Sequence, residues 1–412
     1  MPHISDRQML VRDLDGLFKF LVKTDEDEED IEEIFSIRCT LEGCRYLNLR
    51  NYEKRRNGLS EALWQYSDRD FKQTVRMEKR SFLKLLEIVS VHRMFNKMSY
   101  NQYKRFKSKQ APVWIQLMVA LIRVGCCGNG VSVGRVGVNC GYSDGSVDNF
   151  TNRVFTAILA LKPAVINWPN TEERKEIAKR FKKKGILGGI GVVDGTHCIL
   201  AQKPKIDGET YWCRKLFYST NVILTCDDKG FIRHYIIGWP GSLYDNTIFE
   251  TSHLDKKPHK YFSVGQFLLA DAGFGLKTHC MTPHRQPFAE IEYNKLFNYY
   301  FSSARTIIEH VNGMLKNRFQ SLRGIRIQVK TKKDFDAINR HILVCLILHN
   351  ILLKFKDEWN DENDEEDVQE DNLEVLQAAA EELNRNQESP NEFRKSLQNY
   401  LVRWALDKHG ML

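Results

Sequence analysis

The chain has 412 residues, 42% of them hydrophobic and 28% charged, with a formal net charge of +8. That length suits two or three domains of ~100–200 residues with full hydrophobic cores, which excludes a peptide-sized or disulfide-stapled scaffold. Ten cysteines without any CxxC spacing exclude a Cys-based zinc finger.

Residues 1–65 read as an N-terminal segment, helical in part and poorly ordered around an acidic run. Residues 25–33 hold eight acids in nine, and a second run, 357–371, holds ten in fifteen. Without these 24 residues and their 18 negative charges, the remaining 388 carry +26 instead of +8. So basic a body suits a polyanion, and nucleic acid is the commonest one. The start of the chain shows no basic stretch followed by an apolar one, so no secretory signal is expected. Apolar runs such as 342–348 stop far short of the ~18 residues of a membrane span, so no membrane partner is expected. Reduced thiols in a cytosolic or nuclear protein follow.

From 66 to 170, helical spacing predicts an all-helical domain. Phe82, Leu83, Leu85, Leu86 and Val89 form one stripe; Trp114, Leu117, Met118, Leu121 and Ile122 form another. A glycine-containing turn, Gly137 to Ser143, separates two of its helical segments, and Ser143 is the predicted N-cap of a helix over 144–161. Helix, glycine turn, helix is the helix-turn-helix pattern, though a small helical bundle produces it equally. Residues 174–184 carry seven basic residues in eleven and read as a linker or surface patch. They suit a nuclear-localisation signal, a phosphate-contacting strip or a solvated helix face.

After residue 184 the period changes to that of strands, predicted at 190–200, 220–226 and 231–237, the last two joined by a hairpin through Gly230. Gly238 to Gly241 is expected to end the third strand and open a helical stretch through Phe249. A short apolar strand, 266–270, delivers Asp271. Helices are predicted at 302–322 and 334–353, then a mobile acidic segment and an amphipathic helix near 393–406.

Two aspartates stand out because an unpaired charge in an apolar strand is expensive. Asp194 lies in Gly-Val-Val-Asp-Gly-Thr-His and Asp271 ends Phe-Leu-Leu-Ala-Asp-Ala-Gly. Divalent cations are natural partners for such carboxylates. Glu309 is the third candidate, on a helix face with Arg305, Gly313 and Lys316. A solvent-facing Glu paired with Arg305 is the alternative for that residue. Two-metal phosphodiester cleavage needs carboxylates converging from different elements, and strand Asp, strand Asp and helix Glu would supply them. Asp245 reads as an auxiliary acid or a helix-start cap, and His197, His349 and Asn350 as structural. Seven basic residues in eighteen, over 316–333, suit phosphate contacts.

Several blocks resemble the PIF/Harbinger superfamily of DNA transposases. They are Val193-Asp194-Gly195-Thr196-His197; Arg214-Lys215 with Tyr218-Ser219-Thr220-Asn221; Gly238-Trp239-Pro240-Gly241-Ser242 with Asp245; Asp271-Ala272-Gly273-Phe274; Ala304-Arg305 to Glu309; Leu315-Lys316-Asn317-Arg318-Phe319; and Leu348-His349-Asn350. In order and spacing they cover about residues 185–355. The chain departs from the family in Tyr244, where His is frequent before the Asp, in Phe274, where Tyr is usual, and in the acidity of 144–149.

The resemblance implies an α/β fold with an RNase H-like core, a mixed sheet flanked by helices, behind an N-terminal all-helical, helix-turn-helix-like domain. Its domains would be 1–65, 66–170, 171–355 (the DDE nuclease) and 356–412 (acidic linker and C-terminal helix). It implies a DDE triad of Asp194, Asp271 and Glu309 holding Mg²⁺, with Mn²⁺ as a substitute. Arg305, Lys316, Arg318, Arg323, Arg326 and Lys330 are the expected DNA contacts. The implied protein is a nuclear transposase, cytoplasmic before import, that cuts terminal inverted repeats and joins them to target DNA. It would act as a homodimer or higher homo-oligomer with a Myb/SANT-like partner protein encoded by the same element. The alternatives are a domesticated chromatin- or DNA-binding derivative and a host nuclease without strand transfer.

Overall fold

The computed structural model describes residues 6–24, 28–43, 62–95, 110–359 and 392–408. Contacts divide the chain into two units, Met1–Arg56 and Asn57–Leu412. In the first, α1 (Asp6–Thr24) pairs with α2 (Glu28–Gly43). Arg38 Nε donates to Asp15 at 2.5 Å, and Phe18 packs on Phe35. Residues 28–33 of the first acidic run, expected to be poorly ordered, are helical. Acids in a first helical turn face the positive end of the helix dipole, which stabilises them there. Residues 25–27 lie outside the described residues.

The second unit begins with a helical layer: α3 (Asp68–Val75), α4 (Lys79–Ser90), α5 (Val113–Gly125), α6 (Val133–Cys140) and α7 (Asp144–Ala160). α5 is apolar on nearly every face and sits at its centre, where an all-round hydrophobic helix has to be. Trp64 packs against Phe71, Phe82 and Trp114 beside it. Gly141, at φ +76, ends α6, and the Ser143 hydroxyl accepts from Ser146 N–H at the start of α7, as the sequence predicts.

The run 174–184 is not a linker. Most of it forms α8 (Thr171–Lys182), opened by an Asn170–Glu173 capping box. Ile177 and Phe181 enter the core, buried Arg174 donates to the Pro169 carbonyl, and Arg180 grips Asp228 through two hydrogen bonds. Apolar residues four apart inside a basic run decide the outcome, because burying them fixes the helix and commits part of its charge.

α8 packs on a five-stranded mixed sheet in the order β3-β2-β1-β4-β5, formed by β1 (Gly189–Ile199), β2 (Ser219–Cys226), β3 (Ile232–Pro240), β4 (Phe267–Ala270) and β5 (Cys280–Met281). β1, β2 and β3 run antiparallel, whereas β1, β4 and β5 are parallel. β3 does not end at Gly238. That residue, at φ +92, lies at an irregularity in the pairing, after which Trp239 and Pro240 pair with Asn221 and Thr220. Glycine there bends the strand instead of ending it, and the helix α9 (Asp245–Phe249) starts only at Asp245.

α10 (Glu292–Arg318) begins ten residues before the predicted 302. Its added turns carry Tyr293, Phe297, Tyr300 and Phe301, all buried, and pack on the C-terminal helix α12 (Glu392–Lys408); Tyr300 meets Trp404 at 5.5 Å. Between them in sequence, α11 (Lys332–Lys354) is long and apolar enough to cross a membrane, but 67% of its most apolar window is buried in the core. There His349 bonds the Gly230 carbonyl, and the Asn350 amide pairs with both backbone groups of Ile232, so both residues are structural.

Candidate active site

Parallel pairing of Val193 with Ala270 sets Asp194 and Asp271 at the next position along two neighbouring strands. β4 ends there while β1 continues, which opens the crevice at strand C-termini where α/β sheets place their ligands. Asp194 is the inner of the two, its side chain 21% exposed against 55% for Asp271. Burial pushes the Asp194 carboxyl up from the ordinary 3.8 to about 6; Arg305 and the Gly195 amide pull it down, while Asp245 and Asp271 push it further up.

α10 crosses this pair. Positions 305, 309, 312 and 316 fall on one helical stripe, and three of the four meet the site. Arg305 is buried with its Nη2 3.9 Å from Asp194 and its Nη1 3.9 Å from Asp271, so one guanidinium faces both carboxylates. Asn312 Nδ2 lies 3.4 Å from Asp194 Oδ2. Lys316 Nζ donates to Thr196 Oγ1 at 2.5 Å, and burial lowers its pKa. Glu309 sits on the stripe between Arg305 and Asn312 and is exposed. Among the described residues no three acidic, His or Cys side chains converge on one point.

Asp245 adds a fourth acid. Asn221 Nδ2 donates to its Oδ1 at 2.7 Å and to the Leu243 carbonyl at 3.0 Å. The Asp245 carboxylate lies against Gly195; a Cβ built there would stand 2.2 Å from its Cγ. Glycine after Asp194 is therefore a packing requirement. His197 bonds Ser219 and packs on Phe217, and burial lowers its pKa, as befits a structural ring.

Hard oxygen donors, one of them desolvated and facing another carboxylate, fit a hard divalent cation. Asp194 and Asp271 meet that test, and Arg305 supplies the compensating charge that the sequence demanded of them. Glu309 is placed to join them from the helix without touching them.

Two expected DNA contacts are engaged inside the protein instead. Arg305 faces the aspartates, and Arg318 is buried, with Nη2 donating to the Asp357 carbonyl at 2.6 Å. Arg318 was read with the basic cluster 316–333, yet both arginines lie on the inward face of α10. Arg323 bonds Asn317, Arg326 bonds Asn129 at 2.5 Å, and Lys330 is exposed. Sequence reasoning quoted Thr196 and Asn221 only within motif blocks, with no role of their own, and missed Asn312; all three are neutral. The spacing of Asn312 seven residues after Arg305 was the one signal available for it.

Residues 193–350 match the family described as DDE superfamily endonuclease. The chain is 30% identical over 231 residues to the cattle protein named "Putative nuclease HARBI1", covering 55% of this chain and 64% of that protein. The human protein of the same name is 29% identical over the same shares. An Arabidopsis thaliana protein named "Protein ALP1-like" is 26% identical over 60% of this chain and 62% of its own length. The match thus spans less than two thirds of each of these relatives. No solved structure matches the chain.

Proposed function

We propose that this chain, whose residues 193–350 match the DDE superfamily endonuclease family and which is similar to proteins named putative nuclease HARBI1, is a divalent-metal-dependent DNA endonuclease that cuts element ends and transfers them to target DNA. The observation that carries this reading is the pair Asp194–Asp271 at adjacent strand ends under the stripe of α10. The strand order β3-β2-β1-β4-β5, three antiparallel then two parallel, supports an RNase H-like core. The α6–turn–α7 unit supports a helix-turn-helix-like layer.

Asp194, Asp271 and Glu309 would hold the cation, Mg²⁺ or Mn²⁺. Bound there, it would supply Lewis-acid activation of a water or 3′-hydroxyl and neutralise charge on the leaving oxygen. Arg305 keeps the two aspartates together, and Asn312 orients the Asp194 carboxylate. Asp245, fixed by Asn221, adds negative potential behind Asp194. Lys316, steadied by Thr196, presents a cation to a phosphate oxygen, where the partly desolvated setting strengthens it. Two element ends held together call for a homodimer or higher homo-oligomer. A Myb/SANT-like partner and nuclear residence belong to the same reading.

A second reading has one observation in its favour: Glu309 stands apart from the aspartates. It makes the chain a DNA- or chromatin-binding derivative, or a nuclease without strand transfer. Incubating the full chain with duplex bearing element-like inverted ends, Mg²⁺ and a target plasmid separates them. Cleavage with joined products supports the transposase, cleavage alone the nuclease, and binding without cleavage the derivative. Asp194→Asn, Asp271→Asn and Glu309→Gln should each abolish cleavage in a folded protein; a variant that cuts as the parent does removes that residue from the site.

A further inference from the structure

The helical layer meets the nuclease domain around a second concavity. A cavity of about 300 Å³ lies between α5, α7 and the segment 321–341, with Arg123, Arg326 and Arg340 in its wall. Its one carboxylate, Asp148, is neutralised by Arg123 at 3.0 Å. Arg326 and Arg340 are exposed, and their side-chain partners are neutral oxygens: Asn129 Oδ1 at 2.5 Å and Thr156 Oγ1 at 3.2 Å. A guanidinium has five N–H donors in a fork that matches phosphate, so both keep most of theirs for a ligand. Another wall is aromatic and uncharged. Phe155 meets the His341 ring edge-on at 5.6 Å; His341 is buried, bonded to Ser321, and its pKa is pushed down to about 4. Two uncommitted cations beside an aromatic surface, in a volume at the small end of ligand sites, fit a unit that has one phosphate and one planar ring.

Its place relative to the cut is set by the chain. Ile325 N–H donates to the Ile199 carbonyl at 2.7 Å, so Arg326 follows directly on the end of β1. Ile199 is five residues beyond Asp194, which is ~17 Å along a strand. That is about five steps of a nucleic-acid strand at ~3.4 Å each.

We propose that this cavity takes one nucleotide of the DNA flanking the cut, with its phosphate on Arg326 and Arg340 and its ring side toward Phe155. The proposal rests on the nuclease reading for its choice of DNA. The test is the full-length double variant Arg326→Gln/Arg340→Gln, in which both altered side chains are exposed, with an unchanged melting temperature as the folding control. Two readouts are taken: titration with a deoxynucleoside 5′-monophosphate, and affinity for random duplex across salt concentrations.

The parent protein should bind the monophosphate at least 10-fold more tightly than the variant. Losing that one phosphate contact should reduce the log–log salt slope by ~0.9. Ethylation of a single phosphate about five positions from the cut should impair the parent and not the variant. Equal monophosphate affinity and an unchanged slope, or no duplex binding by the parent, overturn the proposal. Cleavage by the parent together with an unchanged slope in the variant overturns the cavity and spares the nuclease. Pocket-dependent binding without cleavage spares the cavity and sinks the nuclease.

Discussion

Asp194→Asn should make the metal-free protein more stable near neutral pH while destroying its cleavage. Asparagine keeps the volume and removes the charge. The Asp194 carboxyl is raised from 3.8 to about 6, chiefly by burial, and that shift already includes the attraction of Arg305. At 1.36 kcal/mol per unit, ionised Asp194 costs the fold up to about 3 kcal/mol. Because the side chain keeps some exposure, ~1.5–3 kcal/mol is the expected gain in the variant. The sign follows from linkage. Below pH 3.8 the group is protonated in both the folded and unfolded chain, and the charge costs nothing. Between 3.8 and 6 the unfolded chain has released its proton and the folded one has not, so stability falls as pH rises. Above 6 the whole penalty is present. Urea unfolding without divalent ions at pH 7.5, 5 and 3.5 reads this directly. The variant's advantage should be largest at 7.5 and vanish by 3.5. A variant that is no more stable at pH 7.5, or whose difference from the parent ignores pH, refutes the idea that burial holds Asp194 in a strained charged state.

Removing the guanidinium by Arg305→Gln should destabilise the metal-free protein by ~1 kcal/mol, since it sets two carboxylates against each other uncompensated. Saturating Mg²⁺ should then raise the melting temperature of that variant more than that of the parent, and equal shifts would deny Arg305 its counter-charge role. Gly195→Ala pushes a Cβ to 2.2 Å from Asp245 Cγ; a loss of ~1–3 kcal/mol in urea unfolding and a large loss of cleavage are expected. Asp357→Ala keeps the carbonyl bond to Arg318 but removes its buried counter-charge at 3.4 Å, and also strips the acceptor of Glu78 N–H at 2.9 Å. Thermal unfolding should show a loss of ~3–5 kcal/mol.

Much of the sheet was legible because its signals are local. β1, β2 and β4 are short, apolar and bounded by glycine or charge, and a strand of that kind has little else to become. The two aspartates were legible for the same reason, as charges in segments that otherwise reject them. What escaped depends on partners distant in sequence. The early start of α10 goes with α12, whose Trp404 packs on Tyr300 and whose Asn399 accepts from the Tyr293 hydroxyl, and no window around residue 292 contains them. The basic run 174–184 looked like a free surface because charge counts do not register that Asp228 and the Pro169 carbonyl are waiting for Arg180 and Arg174. Arg318 was misread in the same way.

The second acidic run shows how far such counting reaches. Composition treats residues 357–371 as one repelling block. Its first three residues are part of the fold: Asp357 is buried against Arg318, Lys72 donates to the Glu358 carbonyl, and the Trp359 ring lies 5.3 Å from the Arg318 guanidinium and 5.5 Å from that of Arg76. Those cations therefore serve to anchor the end of α11 on the helical layer. The charge left to act on a polyanion is smaller on both sides: fewer free acids in the run, and fewer free arginines on the body. Residues 360–371 lie outside the described residues, whereas Lys330 and Arg340 on the body remain exposed. The anchor itself fixes where the run starts. It sets the run beside Arg318 at the C-terminal end of α10, two residues beyond Lys316, which donates to Thr196 beside Asp194.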